Sequence, residues 1–234
     1  MENNAVDLYI ESEERTQAEQ TLCVLYSFRP GTARDILTLK ASIQKSATVA
    51  DAFALLLLDN PLSVSEAPDW KECESLFNKD DVAWFRECAS GDLKKIRKAT
   101  AGWVASVAGK TDGNMAKRVE ASLYEGEFNP ELEQGKAFEL AATLGTDWVI
   151  VLGQGEILEA QSDRRKLDLL MTHPDPSVTA WGLSWYTHWD TDSLYRIDAP
   201  WGDSGEYRGH EGNIKMFRTT ELTQTPIAKE CSLD

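Results

Sequence analysis

The sequence predicts a mostly α protein, with a helical domain and a smaller irregular or β-containing C-terminal portion. Two observations lead to this fold class. Apolar residues recur at helical spacing along most of the first two thirds of the chain, and only one short segment has the apolar, β-branched composition of a strand. From about residue 145 the composition changes, and Trp181, Trp185, Trp189 and Trp201 lie close together among Gly, Asp and Ser.

The N-terminal half is predicted to form a series of helices. In the segment GTARDILTLKASIQKS, Thr32 is the expected N-cap. Residues 49–58 are apolar nearly all round, which indicates a helix that is buried on every side and ended by Pro61. The segments SVSEAPDWKECESLFN and DDVAWFRECAS each carry acidic residues early and aromatic residues at helical spacing, which favours two further helices.

The clearest predicted helix lies in FNPELEQGKAFELAATLG. Asn129 is its expected N-cap, Pro130 suits its first turn, and Gly145 can end it. The next segment, TDWVIVLG, is the best strand candidate because it is short, apolar and β-branched. DRRKLDLLMTH then predicts another helix, which the prolines at 174 and 176 stop.

The chain has no internal repeat and is predicted to form one domain with an arm at each end. Residues 1–13 are an acidic N-terminal arm, and residues 14–144 form the helical core. Residues 145–217 are a Trp-rich C-terminal portion of the same domain, and residues 218–234 are a polar C-terminal arm.

Charge and cysteine content narrow the class of protein. A net charge of −15 predicts a protein that repels nucleic acid and anionic membranes over most of its surface. The N-terminal residues lack the pattern of a secretory signal, and the most apolar run is about half of what spans a bilayer, so we expect a soluble intracellular protein. Cys23, Cys73, Cys88 and Cys231 are isolated in sequence, so we expect reduced thiols, no structural metal and no cofactor.

Residues 202–205 spell Gly-Asp-Ser-Gly, the tetrad that carries the nucleophile in chymotrypsin-like serine proteases. In that family Gly-Pro follows the tetrad, whereas Glu206 and Tyr207 follow it here, and no histidine stands well upstream in the required context. Because Pro200, Gly202, Asp203, Gly205 and Gly209 are turn-forming residues, we interpret the tetrad as tight turns rather than an active site.

Two further patterns are weak candidates for a site. His188, Asp190 and Asp192 would share one face of an extended strand, with His210 nearby, whereas a helix through this segment would separate them. Gly153-x-Gly155 follows the predicted strand as a phosphate-binding turn does, but Leu158 stands where the dinucleotide fingerprint needs its third glycine. We interpret this second pattern as a tight turn.

The most distinct pattern is a basic strip between Leu93 and Val119, a segment that contains seven basic residues and one acidic residue, Asp112. On a helix, Lys94, Lys95 and Lys98 lie opposite the apolar face, and small residues continue the outer surface. The strip is either a solvated helix face or a docking surface for an acidic partner or a polyanion. Its residues are Lys94, Lys95, Arg97, Lys98, Lys110, Lys117 and Arg118.

These observations favour a non-enzymatic structural or interaction protein that belongs to a larger homo-oligomeric assembly. The acidic body of one copy can meet the basic strip of the next, as in a coat or filament subunit, or the strip can contact nucleic acid such as RNA. The alternative is a small intracellular hydrolase that uses His188 or His210 with Asp190 or Asp192. No membrane contact is expected.

Overall fold

The computed structural model contains a six-stranded mixed sheet covered by helices, so the chain is an α/β protein and the predicted mostly α class is wrong. The structure describes residues 20–109, 117–124, 126–127, 129–158, 164–182, 187–188, 195–196 and 214–222. The strands are β1 (Leu22–Phe28), β2 (Ala52–Leu57), β3 (Arg118–Leu123), β4 (Trp148–Leu152), β5 (Ala180–Gly182), β6 (Thr187–His188), β7 (Tyr195–Arg196) and β8 (Ile214–Arg218). The helices are α1 (Ala33–Ser46), α2 (Trp70–Cys73), α3 (Lys79–Cys88), α4 (Leu93–Ala108), α5 (Pro130–Ala142) and α6 (Arg164–Met171), with 3-10 turns at Pro61–Glu66, Glu74–Leu76 and Thr219–Glu221.

The sheet has the strand order β3-β2-β1-β4-β8-β5. Its first four strands are parallel, and Tyr26 of β1 lies beside Leu55 of β2 on one side and Leu152 of β4 on the other. β8 then runs antiparallel to both β4 and β5. Because β4 pairs with β1, the sheet is continuous across the expected boundary between residues 14–144 and 145–217.

The error in fold class comes from the central strands. β2 lies in the segment 49–58 that was predicted to be a buried helix, and all six of its residues are buried. β1 is nearly as deeply buried and was not predicted at all. A parallel strand covered on both faces has no polar residue on alternate positions, so its sequence is a continuous apolar run that periodicity does not distinguish from a buried helix.

Several local predictions are confirmed. Thr32 caps α1, and its side chain accepts a hydrogen bond from the N–H of Asp35. Asn129 caps α5, with Pro130 in the first turn, and Gly145 adopts a φ of 59° soon after that helix ends. TDWVIVLG contains β4, and helices form in DDVAWFRECAS and DRRKLDLLMTH. The segment SVSEAPDWKECESLFN forms only 3-10 turns and the four-residue α2.

Helices cover both faces of the sheet, but unequally. α1, α3, α4 and α6 pack against one face in the larger core cluster, together with side chains such as Tyr26 and Trp148. α5 packs against the opposite face in the smaller cluster, against Cys23 and Leu25. In the described part of the chain no helix is both long and apolar enough to cross a membrane.

The larger core contains a pair of stacked indole rings. Trp84 of α3 and Trp103 of α4 lie with their centroids 4.1 Å apart and their planes 13° from parallel. Each ring N–H has a buried acceptor, because Trp84 donates to the hydroxyl of Thr100 and Trp103 donates to the carboxylate of Asp81. The same carboxylate pairs with Lys40 at 2.5 Å, which connects α3 and α4 to α1.

The amino ends of the four parallel strands lie along one edge of the sheet, which we call the amino edge. Polar side chains form hydrogen bonds and ion pairs there. Arg164 at the start of α6 donates to the carbonyls of Val49 and Gln20 and pairs with Asp51. Asp51 also accepts the backbone N–H of Leu22. These contacts join the starts of β1 and β2 to α6.

Candidate functional site

The strand order of the sheet locates the candidate site. From β1 the chain proceeds outward to β2 and β3, and it then returns to form β4 on the other side of β1. In α/β sheets, ligands bind beyond the carboxyl ends of the strands at the point where the strand order reverses in this way. That point lies here between the ends of β1 and β4, on the side that we call the carboxyl edge.

Three residues from separate parts of the chain come together at this point, through one ion pair and one hydrogen bond to the backbone. Arg29 follows β1, and its guanidinium donates to Oε1 of Glu133 in the first turns of α5 at 2.9 Å. The backbone N–H of Arg29 donates to Oε1 of Gln154, which follows β4, at 3.3 Å. The Glu133 side chain is 8% exposed and that of Arg29 is 42% exposed, so the pair reaches from the interior to solvent.

The ends of β2 and β3 lie beside this group. Phe28 pairs with Leu57, and Leu57 pairs with Leu123, so the residues that follow these strands share the carboxyl edge. Asp59, which follows β2, is exposed, and its carboxylate accepts the N–H of Asn60 at 2.7 Å. The carboxyl edge therefore presents a carboxylate one strand away from Arg29.

A tight turn carries Gln154, as the sequence predicted for the two glycines around it. Glu156 closes the turn by accepting the N–H of Gly153, and Lys215 of β8 pairs with the same carboxylate at 3.0 Å. Gly155 has a φ of 82°, a conformation that side-chain-bearing residues rarely adopt. The turn is thus fixed by contacts other than those of Gln154, whose side chain is free to point toward Arg29.

Below the turn lies a narrow cleft between α1 and the end of β1. Its internal volume of about 10 Å³ holds about one water molecule. On its lining, the hydroxyl of Tyr26 shares hydrogen bonds with Ser42 and Ser46, and Ser42 donates to the carbonyl of Glu156. Burial raises the pKa of Tyr26 to about 12, so this hydroxyl stays protonated at neutral pH. This enclosed space, which Gln154 also lines, is too small for an organic ligand, so a ligand at this point has to lie on the exposed surface beside Arg29 and Gln154 rather than inside the cleft.

The N-terminus of α1, next to Arg29 in the chain, is already occupied by carboxylates. The N–H groups of Ala33 and Arg34 donate to the two oxygens of Asp69 at 3.0 and 3.1 Å. The carboxylate of Asp35 accepts the N–H groups of Gly31 and Thr32. Donation by the N–H of Ala33, and with it that of Arg34, holds the pKa of Asp69 below its ordinary value.

The structure divides the predicted basic strip into two groups. Lys94, Lys95, Arg97 and Lys98 are exposed on the first turns of α4, and no ion-pair partner faces them within the described residues. Lys117 and Arg118 lie at the amino edge instead, where they donate to the carbonyls of Ala50 and Leu144. Lys110 lies outside the described residues.

The residues of the alternative hydrolase prediction are not brought together in the described part of the chain. His188 belongs to β6, which pairs with β7, so the backbone there is extended rather than helical. Asp190, Asp192 and His210 lie outside the described residues, as does the Gly-Asp-Ser-Gly tetrad. No group of three or more side chains able to hold a metal ion occurs among the residues that the structure describes.

Sequence reasoning did not find Arg29, Glu133 or Gln154. They are far apart in the chain, and only Gln154 lies in a pattern that was considered for binding, the turn Gly153-x-Gly155. The glycines on either side of Gln154 predicted the turn, but they did not predict that the turn lies beside Arg29. Comparisons with protein-family models, with curated proteins and with solved structures found no match for this chain.

Proposed function

We propose that this protein binds a small ligand with neighbouring hydroxyl groups, such as the ribose of a nucleoside or a sugar ring, between the ends of β1 and β4. The observation that carries the proposal is the meeting of Arg29, Glu133 and Gln154 where the strand order reverses. The buried Glu133 pairs with the half-exposed Arg29, so the guanidinium of Arg29 is the part of the pair that reaches solvent.

The chemistry of the three groups supports a hydroxylated ligand. A carboxylate accepts hydrogen bonds, a guanidinium donates several in one plane, and an amide does both, so together they match a pair of hydroxyls. Since Arg29 and Glu133 balance each other in charge, the pair favours a neutral ligand. Asp59 at the end of β2 stands where related strand orders place the acid that binds ribose, which is an analogy at the level of the fold.

The proposal is tested by titrating the isotope-labelled protein with the four ribonucleosides and with glucose while recording NMR spectra. We expect at least one of them to shift the side-chain amide of Gln154 and the backbone amide of Arg29. The variant Glu133→Gln should weaken that binding about tenfold, the cost of roughly one hydrogen bond to a charged group.

The matched control is Glu131→Gln, which removes the same charge from the same helical turn at an exposed position without an ion-pair partner in the described structure. Binding should survive this change. Shifts that appear only away from the ends of β1 and β4, or no shift with any of these ligands, would refute the proposal.

A second candidate function is supported by the exposed cations on α4. Lys94, Lys95, Arg97 and Lys98 are exposed on one helix and have no acidic partner among the described residues, so this surface carries a concentration of positive charge. In a protein of net charge −15, the acidic body of a second copy is the partner that this surface fits best. Self-association of this kind, as in a coat or filament subunit, does not exclude the ligand site.

Light scattering across a range of salt concentrations tests this second candidate. Reversing Lys94, Lys95 and Lys98 to Glu should abolish association, and raising the salt should weaken it in the unmodified protein because screening shortens the reach of charges. Circular dichroism checks that the variant folds, as expected for positions opposite the buried Ile96 and Trp103. Nuclease treatment separates an RNA contact from a protein contact. Equal association of the folded variant and the parent protein would leave these cations as a solvated helix face.

A further inference from the structure

The connection between β2 and β3 places a carboxylate on the first turn of α1. Asp69 accepts the N–H of Ala33 with one oxygen and that of Arg34 with the other, at 3.0 and 3.1 Å. The next N–H, of Asp35, donates to the hydroxyl of Thr32 at 3.2 Å. The backbone donors at the start of this helix are therefore satisfied from within the protein.

These donors are the ones that a phosphate would use. In sheets with this strand order, the helix that follows the first strand directs its N-terminal N–H groups at the phosphate of a bound nucleotide. Asp69 takes the two N–H groups in the bidentate manner of a bound anion. The N–H of Ala33 lowers the pKa of Asp69, which favours the charged form of the carboxylate.

The charged residues around Asp69 also oppose the binding of phosphate. Asp35 lies on the same turn, and Glu72 pairs with Arg34 at 3.2 Å. Arg29, which follows β1, is paired with Glu133. A phosphate that approaches this end of α1 meets a fixed anion and no backbone donor without a partner.

We propose that Asp69 is a specificity-determining residue that excludes phosphate from the ligand site, so that the ligand is unphosphorylated where it faces α1. This inference rests on the proposed function, because it states that the ligand site prefers unphosphorylated to phosphorylated hydroxylated ligands. Asp69 competes with phosphate for the N–H groups of Ala33 and Arg34, and this competition can be tested without a ligand in the site.

The experiment titrates inorganic phosphate into three proteins and follows the backbone amides of Ala33 and Arg34 by NMR. The parent protein should show no saturable shift of these amides. Asp69→Ala frees both N–H groups and should bind phosphate at least about tenfold more tightly than the parent. Glu72→Gln makes the same change in net charge on the same connection but frees no backbone donor, so it should behave as the parent does.

Two outcomes of this phosphate titration overturn the inference. One is saturable binding of phosphate at these amides in the parent protein. The other is a folded Asp69→Ala protein that binds phosphate no better than the parent, which would leave Asp69 as a helix cap alone. If Asp69→Ala does not fold, Asp69→Ser removes the charge with a smaller change in capping and is judged by the same two outcomes.

A second titration separates this inference from the proposed function. Adenosine and adenosine monophosphate are compared on the parent and on Asp69→Ala, with Gln154 as the reporter. The parent should prefer adenosine about tenfold, and the variant should lose that preference. If neither compound shifts Gln154 while phosphate still distinguishes the proteins at Ala33, the proposed function fails and the exclusion of phosphate by Asp69 stands. Equal binding of both compounds to the parent would overturn the inference while leaving the ligand site in place.

Discussion

The amino and carboxyl edges of the parallel strands carry the same kinds of side chain and use them in different ways. At the amino edge, cations donate to backbone carbonyls, as Arg164 does to Val49 and Gln20. Carboxylates there accept backbone N–H groups, as Asp147 does from Thr21. At the carboxyl edge, Glu156 also accepts a backbone N–H, but the cation Arg29 pairs side chain to side chain with Glu133, and this pair extends to solvent.

This difference indicates that residues at one edge of the sheet contribute mainly to stability and residues at the other edge mainly to binding. A side chain that bonds to the backbone fixes the position of a strand, and removing it leaves carbonyls or N–H groups without partners. A side chain that bonds only to another side chain leaves the backbone of the strands paired when it is changed, and the half-exposed Arg29 can also contact a ligand while it stays paired with the buried Glu133. We therefore expect mutations at the amino edge to lower stability and mutations at the carboxyl edge to affect binding.

The largest expected effect is that of Arg164→Met at the amino edge. Arg164 contacts two carbonyls and the carboxylates of Asp51 and Asp168, all of which lose a donor in the variant. The free energy of unfolding should fall by about 2 to 4 kcal/mol, as measured by urea denaturation. Lys166→Met, an exposed cation on the same helix, is the control and should change it by less than about 0.5 kcal/mol.

Two exposed aspartates at opposite edges give a sharper comparison. Asp147 at the amino edge accepts both the backbone N–H and the hydroxyl of Thr21, at 2.8 and 2.7 Å, whereas among the described residues Asp59 accepts only the N–H of its neighbour Asn60. Asp147→Asn should cost about 1 kcal/mol in the free energy of unfolding, and Asp59→Asn less than about 0.5 kcal/mol. Equal losses would show that the two edges do not differ in this respect.

Gln154→Ala should have almost no effect on stability. Its side chain is exposed and accepts one hydrogen bond of 3.3 Å, while Glu156 and Lys215 hold the turn without it. We expect a change in the free energy of unfolding within about 0.5 kcal/mol, together with loss of ligand binding. A loss above about 1 kcal/mol would mean that Gln154 supports the fold as Arg164 does.

The smallest expected effect is a dependence of stability on pH through Asp69. Its pKa is lower in the folded protein than its ordinary value of 3.8, so the unfolded chain takes up a proton first as the pH falls. The contribution of Asp69 is present above that ordinary value and is lost as the pH drops through the folded pKa. Urea midpoints of the parent and Asp69→Ala should therefore converge in acid, and a constant difference down to the lowest pH would contradict this assignment.

The sequence predicted the caps of the helices better than the centre of the sheet. Thr32, Asn129 and Pro130 act through contacts with residues close in the chain, which a local pattern can show. β2 was mistaken for a helix because Ala and Leu are good helix formers and because burial on both faces removes the alternation of a strand.

Prediction of the candidate site depended on the parallel sheet, which the sequence did not predict. Arg29, Glu133 and Gln154 come together only because β1 and β4 are neighbours and α5 crosses the sheet beside them. A prediction without the parallel sheet has no reason to connect these residues. The basic residues of α4 were found because they share one helix, whereas the placement of Lys117 and Arg118 at the amino edge depends on the position of β3.

The stacked rings of Trp84 and Trp103 give the protein an optical signature. Two parallel indoles at 4.1 Å couple their electronic transitions, so the folded protein should show an exciton couplet in circular dichroism. Because the two rings belong to α3 and α4, separation of those helices would abolish this couplet. Its loss, followed beside the helical signal during denaturation, therefore reports whether the helices on this face leave the sheet in the same step that melts the rest of the molecule.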